Sequence, residues 1–174
     1  MRIVNIIIFM LVFTLIGCNK TESTGTGNSS LSSAQTIAFV TTQDASPLTI
    51  KTELFDTPAA KEFLSTGKNT YVANAEAIAK GKKLFQLYSC TQCHGGDAHG
   101  QVGPSLIGPD YRYPKDSTDK GMFETVWHGT NGGMGAKGKG LMDTSDPENG
   151  LTPDELLKII AWIRSHGVET GNIN

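Results

Sequence analysis

Five consecutive residues, Cys90-Thr91-Gln92-Cys93-His94, have the residue types and the spacing that covalent attachment of a haem requires. In a C-x-x-C-H motif each thiol adds across a vinyl group of the macrocycle as a thioether, and the adjacent imidazole reaches the iron from one face. We therefore predict one covalently bound haem c, attached through Cys90 and Cys93, with His94 as an axial ligand of the iron.

Two other uses of a C-x-x-C pair fit this sequence poorly. A thioredoxin-like redox pair is expected within a βαβ pattern, and a structural zinc site needs a second pair of ligands. The sequence around Cys90 and Cys93 offers neither. Haem attachment is the interpretation that remains.

The opposite face of the iron takes a second axial ligand or stays open. Met134 lies in the run Gly132-Gly133-Met134-Gly135, and such a flexible loop can bend a thioether back over a flat ring. The apolar stripe that usually surrounds a core methionine is missing here. We predict Met134 as the second axial ligand, which would give a higher potential than a second imidazole. The alternatives are Met122, Met142, His99, His128, His166 and an open iron site.

Several helices must position these residues. The first is predicted from Asp56 as N-cap through Leu64, with Gly67 as its stop, and the second begins after Asn74 and runs into the C-x-x-C-H motif. A short helix should start near Asp119 and pack its apolar residues in the core. The last helix starts at Thr152-Pro153-Asp154-Glu155, a capping box with proline at N1, and should stop at Gly167.

Gly81 is unexpected inside the second of these helices. Glycine in a helix interior costs about 1 kcal/mol relative to alanine, so a compensating close contact is expected. We predict that the final helix, which carries Trp162, crosses the second helix at Gly81 and supplies that contact.

The N-terminal part of the chain predicts export and a membrane anchor. Residues 1–17 have a short basic start and an apolar run typical of a signal peptide, and their end forms, with the next residue, the run Leu15-Ile16-Gly17-Cys18, which resembles a bacterial lipobox. We predict lipidation at Cys18, a flexible Ser/Thr/Gly tether over 18–36, an N-terminal extension over 37–70 that packs on the head, and the haem domain over 71–174. An uncleaved N-terminal anchor is the alternative.

The charge balance argues against nucleic acid as a partner. The chain has 15 Lys+Arg and 17 Asp+Glu, and removal of Arg2 with the signal leaves 14 against 17, a net charge of −3. A nucleic-acid-binding domain is usually basic.

The order of these features resembles the class I cytochromes c, in which an N-terminal helix that leads into the C-x-x-C-H motif crosses a C-terminal helix. The resemblance implies an all-α fold with long loops and one haem c, and the β-branched residues of 37–40 and 48–50 add an extended N-terminal arm to this prediction. Several segments further resemble the cytochrome cL family: 56–64, Ala77 to Phe85, Tyr113-Pro114-Lys115-Asp116, 131–135 and 151–156.

That resemblance implies further roles. The carbonyl of Pro104 is expected to accept the second imidazole N–H of His94, and Met134 aligns with the family's axial methionine. Residues expected to line the haem pocket or bind its propionates are Tyr111, Arg112, Tyr113 and Trp127, each of which could instead be core or surface. The sequence leaves open whether a calcium ion lies near the haem.

Members of the cytochrome cL family accept electrons from quinoprotein (PQQ) methanol dehydrogenases. The resemblance therefore implies an electron-transfer protein, not an enzyme, that faces the periplasm on a lipid anchor in a bacterial membrane and passes electrons to another cytochrome or an oxidase. Two alternatives remain: a carrier for a different dehydrogenase or respiratory complex, and a haem peroxidase or gas sensor with a labile Met134 ligand.

Overall fold

A computed structural model describes residues 36–167 of the chain. The predicted signal peptide at 1–17, the predicted lipidation site Cys18 and nearly all of the predicted tether over 18–36 lie outside the described residues, as do residues 168–174. No helix in the described part is long and apolar enough to span a membrane.

Within 36–167 the chain is mainly helical. The α-helices are α1 (Pro58–Thr66), α2 (Ala75–Leu87), α3 (Thr91–His94), α4 (Asp119–His128) and α5 (Pro153–Arg164). Short 3-10 helices are η1 (Thr52–Leu54), η2 (Thr70–Ala73) and η3 (Pro114–Ser117). An antiparallel pair of two-residue strands, β1 (Phe39–Val40) and β2 (Pro47–Leu48), precedes them, with Phe39 opposite Leu48.

The crossing of α2 and α5 confirms the prediction made for Gly81. A Cβ built on Gly81 would lie 1.9 Å from the carbonyl oxygen of Lys158 in α5, so the two helix backbones touch at this residue. One turn further along α2, the ring of Phe85 packs on Trp162 of α5 with centroids 4.6 Å apart. The close contact offsets the helix-propensity cost of glycine through the packing that it permits.

The arm that precedes α1 contributes to the same core as the helices. Phe39 is 5% exposed and lies against Phe55, Phe63 and Phe123, with ring centroids 5.5 to 6.1 Å from its own. The backbone N–H of Val40 donates to a buried carboxylate oxygen of Glu124 in α4. Residues that precede the first α-helix therefore hold one side of α4 in place.

The helix caps agree with the sequence in three cases and differ in two. Asn74 caps α2, the capping box of Thr152 and Glu155 forms at the start of α5, and Gly67 ends α1 in the left-handed conformation with φ 73°. The N-cap of α1 is Thr57 instead of Asp56, because the Thr57 hydroxyl accepts from the N–H of Ala60. The predicted stop at Gly167 lies three residues too late: α5 ends at Arg164, and the chain continues to Gly167 in single turns, with the N–H of Gly167 donating to the carbonyl of Arg164 at 3.2 Å.

Arg164 ties the end of α5 to η3 and α4. Its Nε donates to Asp119 at 3.0 Å, one Nη donates to the hydroxyl of Tyr111 at 2.8 Å and the other donates to the carbonyl of Asp116 at 2.8 Å. The side chains of Arg164 and Asp119 are 6% and 0% exposed. A buried guanidinium with this many bonds fixes the position of the 111–119 segment relative to α5.

Candidate functional site

The C-x-x-C-H motif forms a compact turn between α2 and the loop that follows. The helix α2 ends at Leu87, and the N–H of Cys90 still bonds to the carbonyl of Phe85, so the register of α2 sets the start of the motif. His94 donates its N–H to the carbonyl of Cys90 and is buried at 7% exposure. Cys90 is half-buried and Cys93 exposed, and neither takes part in a disulfide.

The imidazole of His94 is held in one tautomer. Its Nδ1 lies 2.8 Å from the carbonyl oxygen of Pro104. Because a carbonyl only accepts, Nδ1 carries the proton, and Nε2 therefore keeps a free lone pair for a metal ion. The loop that brings Pro104 here is closed by two backbone bonds, from Gly100 to the carbonyl of His94 and from Gly103 to the carbonyl of Cys93.

Two adjoining hollows open beside His94, with volumes of about 370 and about 310 Å³. They share part of their lining: His94, Val102, Gly103, Pro104, Gly132 and Met134. The smaller hollow is also lined by Ser89, Cys90, Cys93 and Lys137, and we call it the thiol end. The larger is also lined by Tyr111, Arg112, Tyr113, Asp116, Thr125 and Thr130, and we call it the polar end.

Met134 reaches this space from the loop that follows α4. The N–H of Thr130 donates to the carbonyl of Met134 at 2.8 Å, and the N–H groups of Lys137 and Gly138 donate to carbonyls in the last turn of α4. These bonds satisfy carbonyls that the helix end leaves free, and they pin the loop on α4. His94 and Met134, which come from separate segments, therefore line the same space.

The other candidates for the second axial ligand do not line either hollow. Met122 is 2% exposed in the core of α4, and Met142 is 36% exposed on a surface loop. Nδ1 of His99 lies 3.4 Å from Asp97, and Nδ1 of His166 lies 2.9 Å from the carbonyl of Trp162. Of the candidates in the described chain, Met134 alone shares the hollow with His94.

Three of the four residues expected at the haem pocket lie there. Tyr111, Arg112 and Tyr113 line the polar end. Trp127 does not: it is 2% exposed and stacks on Phe123 at a centroid distance of 5.5 Å. Trp127 is a core residue because α4 turns its indole toward the aromatic cluster.

The lysines near the Met134 loop differ in their surroundings. Lys137 lines the thiol end, whereas the Nζ of Lys139 lies 2.7 Å from Glu148. The hydrogen bond to Glu148 raises the pKa of Lys139 and neutralises its charge locally. Lys137 has no ion-pair partner among residues 36–167 and supplies positive charge at this edge of the hollow.

Several residues at the polar end carry no recognisable signal in the sequence. Asp116, Thr125 and Thr130 line it, and Val102, 84% exposed, lies at the edge of both hollows. Asp116 belongs to the segment 113–116, but its burial at 8% exposure arises only when η3 packs on α4 and α5. An isolated aspartate in a sequence is normally exposed, so no local pattern marks it.

These residues fit a haem c. Two thiols lie at one end of an apolar-lined space, a histidine with Nε2 free and a thioether line it, and hydroxyls, Arg112 and Asp116 lie at the other end. Imidazole and thioether side chains are ligands of haem iron, and a pair of thiols forms the thioether bonds to the haem vinyl groups. Among residues 36–167, no cluster of three or more His, Cys, Asp or Glu side chains is arranged to hold a metal ion.

Comparison with known families places this site in context. The family model described as "Cytochrome c" matches residues 78–167. That range includes the C-x-x-C-H motif, both hollows' lining and α5, and it leaves out the arm and α1.

Two curated proteins are similar to the chain. Cytochrome c-L of Methylorubrum extorquens is 44% identical over 110 residues, which are 63% of this chain and 50% of that protein. Subunit CcoP of the cbb3-type cytochrome c oxidase of Rubrivivax gelatinosus is 33% identical over 78 residues, 44% of this chain and 25% of that protein. The chain thus matches about half the length of the first relative and a quarter of the second.

Two solved structures share the architecture. Cytochrome cL from the marine methylotrophic bacterium Methylophaga aminisulfidivorans superposes with a TM-score of 0.63 at 37% identity, over 74% of this chain and 80% of that one. Cytochrome cL from Hyphomicrobium denitrificans gives 0.62 at 40% identity, over 74% and 73%.

Proposed function

Because the chain belongs to the cytochrome c family, we propose that it is a single-haem electron carrier that accepts electrons from a PQQ-dependent methanol or alcohol dehydrogenase. The observation that carries the proposal is the shared hollow in which His94 and Met134 lie together beside Cys90 and Cys93. A haem c bound there would supply reversible one-electron chemistry through its iron.

The chain's own residues would hold that group and keep it closed to substrates. Cys90 and Cys93 would form the two thioethers, and His94 would ligate through Nε2 because Pro104 occupies Nδ1. Met134 would be a second ligand, and a thioether there would favour the reduced state more than an imidazole would. With His94 and Met134 both bound to it, the group would be held by the chain's own side chains and closed to substrates.

The nature of the donor is supported by the relatives. The similar structures are named cytochrome cL, and one of them comes from a methylotrophic bacterium. A methanol dehydrogenase would reduce the protein, and a further cytochrome or an oxidase would receive the electron. The protein would face the periplasm on a lipid anchor at Cys18, a residue outside the described part of the chain.

The axial ligands can be tested by optical spectroscopy of the purified ferric protein with haem bound. A weak near-infrared charge-transfer band from thioether sulfur on low-spin ferric haem is expected in the wild type and absent in Met134→Ala. Met142→Ala is the matched control and should keep the band, because Met142 is an exposed loop residue away from the hollows. A band that survives Met134→Ala would refute the assignment.

The donor can be tested by stopped-flow reduction. A catalytic amount of PQQ methanol dehydrogenase with methanol should reduce the protein rapidly, and a dehydrogenase of another class should reduce it slowly. Equal rates would argue for a carrier with a different partner. Rapid binding of carbon monoxide to the reduced wild type would instead favour the peroxidase or gas-sensor alternative, since it requires Met134 to leave the iron.

A further inference from the structure

Four carboxylate side chains are buried in the described part of the chain: Asp116, Asp119, Glu124 and Asp154. Three of them pair with cations. Asp119 binds Arg164, Glu124 binds both Lys115 and Lys120, and Asp154 binds Lys158. Within residues 36–167, no Lys, Arg or His lies within ion-pair distance of the Asp116 carboxylate. An ionised carboxylate in this position is therefore less well compensated than the other three.

Asp116 is also the buried carboxylate that faces the candidate haem site. It lies on η3, is 8% exposed, and lines the same hollow as His94 and Met134. The hydroxyl of Thr125 in α4 donates to its Oδ1 at 2.6 Å. The charge of this carboxylate would therefore change the electrostatic potential at any redox centre held in that hollow.

The charges around Asp116 are largely committed to other partners. On η3 itself, Lys115 binds Glu124, and on α5 Arg164 binds Asp119 and only the backbone carbonyl of Asp116. From α4, the charge of Glu124 acts on Asp116, and Tyr111, Arg112 and Tyr113 of the preceding loop line the same hollow as Asp116. Burial raises the pKa of Asp116 to about 6, although the Thr125 hydrogen bond and the charges of Lys115 and Arg164 act against the rise.

A route for proton exchange leads from Asp116 toward the surface. The Thr125 hydroxyl that donates to Asp116 lies 2.9 Å from the hydroxyl of Thr42. Because the Thr125 hydroxyl donates its hydrogen to Asp116, the Thr42 hydroxyl must donate to the oxygen of Thr125. Thr42 is half-buried on the arm next to the exposed turn at Gln43, so two hydroxyls connect the buried carboxylate with solvent.

We propose that Asp116 is a redox-linked proton site: when one electron enters the haem site from the donor, one proton from solvent binds the Asp116 carboxylate, and the proton leaves again when the electron is passed on. The uptake follows from charge. Adding an electron removes one positive charge from the hollow, which makes a nearby carboxylate less stable in its ionised form. This inference rests on the proposed haem site.

The first test is the midpoint potential of the haem-loaded protein as a function of pH. In the wild type the potential should fall as the pH rises through the region near the pKa of Asp116, by at most about 59 mV for each tenfold change in proton concentration. Asp116→Asn should remove this dependence. Asp56→Asn, the same substitution at an exposed residue outside both hollows, should keep it.

A second readout follows the carboxyl group itself. Infrared difference spectra between the reduced and oxidised forms should contain the C=O band of a protonated carboxyl in the wild type and lack it in Asp116→Asn. Thr125→Val removes the hydrogen bond that stabilises the ionised form, so the pH-dependent region should move to higher pH. Thr125→Ser keeps the hydroxyl and should restore the wild-type region.

Each outcome decides one of the two proposals. A wild-type protein with haem bound whose potential does not vary with pH would overturn the inference and leave the electron carrier intact. A midpoint potential that still varies with pH in Asp116→Asn would also overturn it and assign the proton to another group. A protein that binds no haem through Cys90 and Cys93 would instead refute the proposed function, and the thioether-linked haem content of each sample reports this separately.

Discussion

Replacement of Gly81 by alanine tests the crossing that positions the C-x-x-C-H motif. The new Cβ would lie 1.9 Å from the carbonyl oxygen of Lys158 and 2.5 Å from its carbonyl carbon, both in the backbone of α5. An ordinary carbon–oxygen contact is about 3.3 Å or longer. The helices would therefore have to separate by about 1.4 Å, because a backbone carbonyl inside a helix cannot rotate away.

The size of the effect follows from two opposing contributions. Alanine is better than glycine in a helix interior by about 1 kcal/mol, which favours the variant. Against this, a radial gap of even 0.5 to 1 Å already loses roughly a quarter to a half of each dispersion contact along the interface, including that of Phe85 with Trp162. Overpacking of a tight site costs about 1–3 kcal/mol and sometimes more. We expect a net loss of about 2–4 kcal/mol in the free energy of unfolding.

The assay is denaturant unfolding of the haem-loaded protein, monitored by far-ultraviolet circular dichroism. Ala79→Gly is the matched control because Ala79 is an exposed residue of the same helix, and it should cost only the propensity of about 1 kcal/mol. Since α2 runs directly into the motif, Gly81→Ala should also weaken the optical signature of Met134 ligation. An unchanged or increased stability of Gly81→Ala would refute the helix contact.

Three further substitutions test the buried charges. Arg164→Lys should lower the free energy of unfolding, measured with denaturant, by about 2–4 kcal/mol, because a lysine cannot replace three directed hydrogen bonds. The control Arg112→Lys, at an exposed position, should change this free energy little. Glu124→Gln weakens the bonds to the Val40 N–H and to two lysines, so we expect the free energy of unfolding to fall by about 1–3 kcal/mol and the arm to be cleaved faster by proteases. An arm cleaved at the wild-type rate would contradict this. Asp116→Asn should stabilise the protein at neutral pH relative to wild type, and the advantage should vanish near pH 4. Burial raises the pKa of Asp116 from its ordinary 3.8 to about 6. The wild type is therefore most stable below about pH 4 with respect to this group, and it loses up to about 3 kcal/mol of stability as the pH rises through 6. Equal stability differences at both pH values would show that the carboxylate is not destabilised by burial.

The prediction of a class I cytochrome c fold is confirmed by the family model and by the two cytochrome cL structures. Its helices could be predicted because their signals are local. The N-cap of Asn74 and the capping box at Thr152 depend on residues three positions apart, and such contacts form in any conformation that starts the helix. The anomaly of Gly81 is also readable, since glycine inside a helix needs a reason.

Two details could not be read from neighbouring residues. Gly167 is a good local stop, but α5 ends three residues earlier, at Arg164, and the chain reaches Gly167 in single turns, with the N–H of Gly167 donating to the carbonyl of Arg164. The sequence left Trp127 open between the haem pocket, the core and the surface, and the orientation of α4, which turns its indole toward Phe123, places it in the core. Packing between separate elements decides that outcome.

The sequence by itself predicts the chemistry at Cys90, Cys93 and His94, because thioether attachment and axial ligation of a haem require these residue types at fixed spacing, all within five residues. It also determined the charge balance and the local helix caps. Only the tertiary structure decided which methionine shares a hollow with His94 and which carboxylate is buried there without a cation. Both depend on the packing of η3, α4 and α5, since burial and ion pairing arise from contacts between residues far apart in the chain.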